Sequence, residues 1–411
     1  MWVISRMDTQ CEYIYKEGKK VGTRCVYKKK ESLYCKVHKN KVSKSIKQIE
    51  ESLTSDPPIK DRILTLDTTL ENKMVIMKHY NNLKRLDPHT TEYYKNYVYL
   101  ESCVNVPWGK LCNTFTNTNL THSLTQRETL MNVSSTLDAG IYGMKSVKNE
   151  ILNYTSRMMT NPNSKRNILG LYGLAGSGKT KMVHTIAKAL NRKIKTISLG
   201  GVKDSSFFLG HGYIYVESGP GVIVQSIMDT KCMNPILYFD ELDKVSETQG
   251  GKDIYSFLTY LTDPTQNASF SEHYFHGLKF DLSNVFFIFT FNDINKIDKI
   301  LLDRINLIHV PEPSMGEKSR ILFDYCIPEI LSNIGLKETL VSYRDCVELV
   351  KRHTTNSMDS TGVRELYRIL ESALMEYNKN KILDSCYTFD FESILEIVKK
   401  GAIEKFNSMY T

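Results

Sequence analysis

The stretch Ile168-Leu169-Gly170-Leu171-Tyr172-Gly173-Leu174-Ala175-Gly176-Ser177-Gly178-Lys179-Thr180 decides the fold. It opens as an apolar strand and passes through a glycine-rich turn with the spacing GxxxxGKT. It then runs into a segment with Met182, Val183, Ile186, Ala187 and Leu190 on one helical face. Gly173, Gly176 and Gly178 let the backbone N–H groups of the turn, those of Leu174, Ala175 and Ser177 included, wrap a phosphate. Lys179 brings charge to the β- and γ-phosphates, and Thr180 offers a hydroxyl to Mg2+. The helix that starts here aims its positive end at the anion. The segment reads as a site for ATP and Mg2+ on a strand–turn–helix unit.

Further apolar runs at 195–199, 235–239 and 285–291 alternate with helical stretches. That alternation predicts an α/β fold, a P-loop parallel sheet covered by helices on both faces. The run Ile236-Leu237-Tyr238-Phe239 ends in Asp240-Glu241. An acid at a strand end after a P-loop can hold the Mg2+ shell, here Asp240, and the next can polarise the attacking water, here Glu241. After Pro311 the pattern turns helical at 318–327, 346–351 and 362–377, a small helical domain. Ahead of the sheet, 41–55 read as helix until Ser55-Asp56-Pro57-Pro58 breaks it. A second helical pattern carries Ile63, Leu66, Leu70, Met74 and Met77 on one face, which fits a coiled-coil arm or a helix packed on its own domain. The expected organisation is a head over 1–40, a helical neck over 41–110, the ATPase domain over 111–310 and a helical lid over 311–411.

The 411 residues are 41% hydrophobic and 24% charged, a globular balance. The net charge of +8 is concentrated: residues 1–50 hold 13 Lys and Arg against 5 Asp and Glu, and the rest of the chain balances. No run approaches the roughly 18 apolar residues of a membrane helix, so no membrane partner is expected. No apolar region of a signal peptide follows Met1. Nine cysteines are too few for a disulfide scaffold and read as reduced thiols. The expected location is intracellular (cytoplasm, nucleus or virion) rather than secreted.

The segments 199–204 (Leu-Gly-Gly-Val-Lys-Asp), 210–221 (Gly-His-Gly-Tyr-Ile-Tyr-Val-Glu-Ser-Gly-Pro-Gly) and Asp240-Glu241-Leu242-Asp243-Lys244 resemble the AAA+ ATPase module of Lon proteases. So do Leu261-Thr262-Asp263-Pro264, Phe270-Ser271-Glu272-His273-Tyr274, Leu301-Leu302-Asp303-Arg304 and, upstream, Val106-Pro107-Trp108-Gly109-Lys110 and Tyr142-Gly143-Met144. The resemblance runs from about residue 70 to about 385. It implies that Asn292 is a sensor orienting the lytic water and that Arg304 is an arginine finger reaching a neighbouring subunit's site. It further implies that Arg364, in Gly362-Val363-Arg364, contacts phosphates in its own subunit, and that Tyr142 lies at the nucleotide. Tyr215-Val216 falls where the family grips an unfolded polypeptide, although Glu217 stands where the family carries glycine. The family's Ser–Lys peptidase is not expected from the segment after 383, nor its β-rich receptor domain from the N-terminal segment.

The head places Cys11, Cys25, Cys35 and His38 at spacings that suit a tetrahedral Zn2+, and it resembles small zinc modules of large DNA virus proteins. Forty residues need such a staple to fold. With Lys28-Lys29-Lys30 the head suits nucleic acid phosphates, a protein client or an adaptor. The expected protein is an ATP-hydrolysing, Lon-like homo-oligomeric ring, hexameric, that unfolds or remodels polypeptide clients without its own peptidase. Two alternatives are a nucleic-acid-associated ATPase docked by its head and the ATPase partner of a separate peptidase.

Overall fold

A computed structural model describes residues 58–112, 123–161, 167–213, 218–246, 248–337, 340–356, 362–384 and 387–392, without side-chain detail at 123–125. Cys11, Cys25, Cys35 and His38, the helix expected over 41–55, and Tyr215 and Val216 lie outside these residues. The chain divides into two units, 1–65 and 66–411. Of the first unit, the described residues form helix α1, Ile59–Thr65.

The second unit is organised around five strands: β1 Ile168–Tyr172, β2 Ile194–Ser198, β3 Ile236–Asp240, β4 Phe286–Phe291 and β5 Asn306–His309. All pair in parallel, in the order β2-β3-β4-β1-β5. The four expected strands are there. β5 was not expected, because Asn-Leu-Ile-His is short and only Ile308 in it is buried. Every residue of β4, Phe-Phe-Ile-Phe-Thr-Phe, is buried, as a central strand covered on both faces requires. Alternate side chains part to the two faces. Phe286 and Ile288 join Leu169, Leu171, Met182, Val183 and Ile186 in one core. On the other face the Phe289 ring stacks 5.0 Å from Phe239, near the Phe208–Phe257 pair at 4.7 Å.

Ahead of the sheet lie α2 Leu70–Leu83 and α3 Thr91–Asn105. The pattern expected to run from Ile63 to Met77 on one face is interrupted: α1 and α2 are separate helices, and Thr69 caps α2 by accepting the Asn72 N–H. The buried face of α2 is Asn72, Ile76 and Leu83, whereas Leu70 and Met74 are exposed. The reason is polar: Asn72 Nδ2 donates to Lys279 O at 2.8 Å and its Oδ1 accepts the Lys279 N–H at 3.0 Å. Pro107 follows α3, and Trp108 folds back, donating to Cys103 O at 2.9 Å and stacking 5.0 Å from Phe280. Cys112 and Cys232 are joined as a disulfide, which corrects the reading of every cysteine as a reduced thiol. Their 120-residue separation hides the pair from any spacing argument. Asn234 holds the same place from both sides, accepting the Cys112 N–H at 2.6 Å and donating to its carbonyl at 3.2 Å. Cys103, Cys326 and Cys346 are buried thiols.

Helices α4 Ser123–Gly140, α5 Lys145–Thr160 and α6 Lys179–Ala189 contribute to the first core. Then come α7 Ser206–Leu209, α8 Val222–Thr230, α9 Gln249–Thr262 and α10 Lys299–Leu302. The helical region after Pro311 is α11 Met315–Ile321, α12 Ile327–Ile334, α13 Tyr343–Asn356 and α14 Val363–Leu383, with a π turn at Leu322–Cys326. Ser314 and Glu317 form a capping box that starts α11. Leu322, Ile330, Leu349, Leu366, Leu370 and Leu374 give this region a core of its own.

Candidate active site

Parallel pairing aligns the carboxyl ends of β1, β3 and β4, because Tyr172 lies beside Phe291 and Phe239 beside Phe289. In an open parallel sheet that edge is where ligands bind. The glycine-rich turn leaves β1 there, Asp240 ends β3, and Asn292 follows β4. A cavity of about 720 Å3 gathers Tyr142, residues 175–180, Asp240, Glu241, Asn292 and Arg364. Residues separated by more than two hundred positions thus share one concave site.

The turn presents its backbone to the cavity. Gly178 caps α6 in left-handed conformation with φ 94°, and among the described residues no side-chain cap occupies the start of the helix. Those groups and the dipole favour an anion. Lys179 Nζ donates to Gly173 O at 2.8 Å, to Leu174 O at 2.9 Å and to Asn292 Oδ1 at 2.8 Å. Burial draws the lysine pKa down, and the carboxylates of Asp243 and Asp240 oppose that shift. Among the described residues, Ser177 Oγ is buried with no hydrogen-bond partner, a polar atom that a phosphate oxygen can satisfy.

Asp240 Oδ1 accepts the Glu241 N–H at 3.0 Å and the Thr290 hydroxyl. Tyr238, two residues before Asp240 in β3, donates to Thr180 Oγ1 at 3.4 Å and lies 3.1 Å from Thr290 Oγ1. Burial pushes the Tyr238 phenol up to about 12, so it keeps its proton at neutral pH. Glu241 has φ 60°, an uncommon backbone for a non-glycine residue. Its Oε2 lies 2.6 Å from where a Cβ on Gly200 would stand, so the carboxylate rests against a bare backbone. A hydroxyl and a carboxylate beside a phosphate cradle fit the oxygen preference of Mg2+. Thr180 and Asp240, both on the cavity wall, could hold it.

The start of α14 meets the turn backbone to backbone. A Cβ on Gly362 would come within 2.7 Å of Ala175 O and of Gly176 Cα, so only glycine allows this approach. Gly362 caps α14, and Arg364 enters the cavity from its first turn. On the opposite wall, Lys148 Nζ donates to Ile141 O and to Asp138 Oδ1, both at 2.7 Å, and fixes the turn before Tyr142. Arg304 does not line the cavity. It donates to Thr259 O at 3.1 Å and to Asp263 Oδ2 at 2.9 Å. The Thr265 hydroxyl and N–H, with Arg304, hold the Asp263 carboxyl at about 2.

Sequence reasoning missed Tyr238 and Thr290, and with them Ile141, His184, Tyr325 and Tyr367 of the cavity wall. The one available signal was a hydroxyl in each of two otherwise apolar strands. Among the described residues, no group of three or more His, Cys, Asp and Glu could hold a metal ion, and no helix is long and apolar enough to cross a membrane.

Residues 169–311 match the ATPase family associated with various cellular activities (AAA). The chain is 33% identical over 351 residues to a Lon protease of Cytophaga hutchinsonii, covering 84% of this chain and 41% of that protein. It is 30% identical over 347 residues to a Lon protease homolog of Acanthamoeba polyphaga mimivirus, covering 82% and 33%. For Lon protease 2 of Borreliella burgdorferi the identity is 32% over 353 residues, covering 83% and 42%. The chain thus spans between a third and about two-fifths of the length of these curated relatives.

Proposed function

This chain carries a Lon-like AAA+ ATPase module, and from that premise we propose that it couples ATP hydrolysis to the unfolding or remodelling of polypeptides. The observation that carries the reading is the cavity that gathers the glycine-rich turn, Asp240, Glu241, Asn292 and Arg364. In the proposed cycle the phosphates rest on 173–178 and Lys179, with Tyr142 beside the nucleotide. Mg2+ on Thr180 and Asp240 supplies charge neutralisation to the phosphates. Glu241 takes a proton from a water held by Asn292, and the water oxygen attacks the γ-phosphorus. The bond to the ADP oxygen breaks, and ADP and phosphate leave. Arg364 contacts phosphates in its own copy. Arg304 serves the site of a neighbouring copy in a homo-oligomeric ring, which we take to be hexameric. Tyr215 and Val216 grip the client.

The four-part organisation into head, neck, ATPase domain and lid belongs to the same proposal, as does a Zn2+ on Cys11, Cys25, Cys35 and His38. We assign peptide-bond cleavage to no residue of this chain. The charge gathered in residues 1–50 favours a second reading, in which the head docks the ATPase on nucleic acid.

The test is Glu241→Gln. It should keep ATP affinity and slow phosphate release at least about 100-fold, because it removes the base that aligns water. Lys179→Ala should lose nucleotide binding itself. Unfolded polypeptide should accelerate wild-type hydrolysis and be retained by the Glu241→Gln protein with ATP. Near-normal turnover by Glu241→Gln would remove the catalytic assignment, and retention of nucleic acid alone would favour the second reading.

A further inference from the structure

Tyr238 is fully buried in β3, where a phenol without partners would be destabilising. Its hydroxyl is placed between two other hydroxyls. It donates to Thr180 Oγ1 at 3.4 Å, it lies 3.1 Å from Thr290 Oγ1, and Thr290 donates to Asp240 Oδ1. Thr180 belongs to α6, Asp240 ends β3 and Thr290 lies in β4, buried like Tyr238. Three elements are therefore joined through oxygen atoms beneath the phosphate cradle. The chain runs from one residue read above as a Mg2+ partner to the other.

We propose that Tyr238 and Thr290 form a hydroxyl relay that positions Thr180 and Asp240 as a unit for Mg2+. They are positioning residues, and the proposal rests on the reading of Thr180 and Asp240 as the Mg2+ residues. Counting protons gives the relay its direction. Each hydroxyl carries one proton, and an ionised carboxylate only accepts. The Thr290 proton is committed to Asp240, so Thr290 offers Tyr238 lone pairs alone. With Thr180 Oγ1 lending a lone pair to Mg2+, the threonine proton has to turn away from the cation, and the phenol oxygen is the acceptor within reach. The Tyr238 proton then turns from Thr180 to Thr290. Every proton of the relay now points toward Asp240, and the Thr180 lone pair faces the metal.

A hydroxyl that merely satisfied the core would affect stability and leave the metal dependence alone. The experiment therefore follows binding of a fluorescent, non-hydrolysable ATP analogue to the full chain while Mg2+ is titrated. Tyr238→Phe should raise the half-saturating Mg2+ concentration about 3- to 10-fold, the loss of one hydrogen bond. Affinity for the analogue in EDTA should not change. Thr290→Val should give a shift of at least that size, and Thr290→Ser, which keeps the hydroxyl, should restore the wild-type value. The Tyr238→Phe/Thr290→Val double should fall short of the product of the singles, because both break one relay. A wild-type Mg2+ dependence in Tyr238→Phe, or equal losses with and without Mg2+, overturns the relay. Asp240→Asn separates the two levels of the argument: it should abolish the Mg2+ dependence. If it leaves that dependence intact, the Mg2+ reading itself falls, and the relay falls with it.

Discussion

Glu272 is 3% exposed and accepts the Gly221 N–H at 3.0 Å. Burial pushes its pKa from 4.5 up to about 9, against the N–H groups of Gly221 and Phe275, which favour the charged form. The sign of the consequence is fixed. Between those two pH values the folded carboxyl holds a proton that the unfolded one has lost. The unfolded state binds fewer protons, so stability falls as pH rises through that window and levels off above it. Glu272→Gln, which cannot ionise, should flatten that part of the profile. Denaturant midpoints measured from about pH 5 to about pH 9 check it. Parallel wild-type and variant profiles would mean that Glu272 ionises freely in the folded chain.

The contact of Gly362 with Gly176 decides how closely the start of α14 approaches the phosphate turn. An added Cβ meets backbone atoms at 2.7 Å, which cannot yield as the end of a side chain would. Overpacking of this kind costs about 1–3 kcal/mol. Gly362→Ala should therefore weaken ATP binding about tenfold by displacing Arg364 from the cavity. The cores on either side do not include Gly362, so the melting temperature without nucleotide should move little. Calorimetric binding alongside thermal melting reads both effects. An unchanged affinity would show that Arg364 needs no close approach of α14.

Two expectations concern the whole molecule, one its assembled copies and one its head. Arg304 is tied to Thr259 and Asp263 at the end of α10, outside the cavity of its own copy. If it acts on a neighbour, Arg304→Ala and Lys179→Ala proteins should each hydrolyse ATP poorly. Mixed together, they should recover part of the activity through interfaces with one intact turn and one intact finger. Phosphate release across mixing ratios measures this, and no recovery in rings shown to be mixed would argue against a shared site. For the head, elemental analysis should find about one zinc per chain, lost in the Cys25→Ser/Cys35→Ser double, with basal hydrolysis retained. Protein purified without chelator that lacks zinc would leave a basic, cysteine-bearing segment with no metal role.

The sequence by itself determined what local patterning can encode. The glycine spacing of 173–178 with Lys179 and Thr180, the acids closing 236–240 and the apolar strands named the parallel sheet and the nucleotide edge. Each rests on residues adjacent in the chain. Four things needed tertiary structure, because each joins distant residues through space. Asn72, hydrogen-bonded twice to Lys279, lies on the buried face of α2 with Ile76 and Leu83, a face that the apolar pattern through Leu70 and Met74 did not predict. Cys112 met Cys232 across 120 positions, where spacing carries no pairing rule. β5 formed from four residues because Tyr172 and its neighbours in β1 supplied a ready edge to pair with. The hydroxyls of Tyr238 and Thr290 gained meaning only when strand register set them between Thr180 and Asp240. Periodicity tells which face of a strand a side chain takes, and only the packed sheet tells what waits for it there.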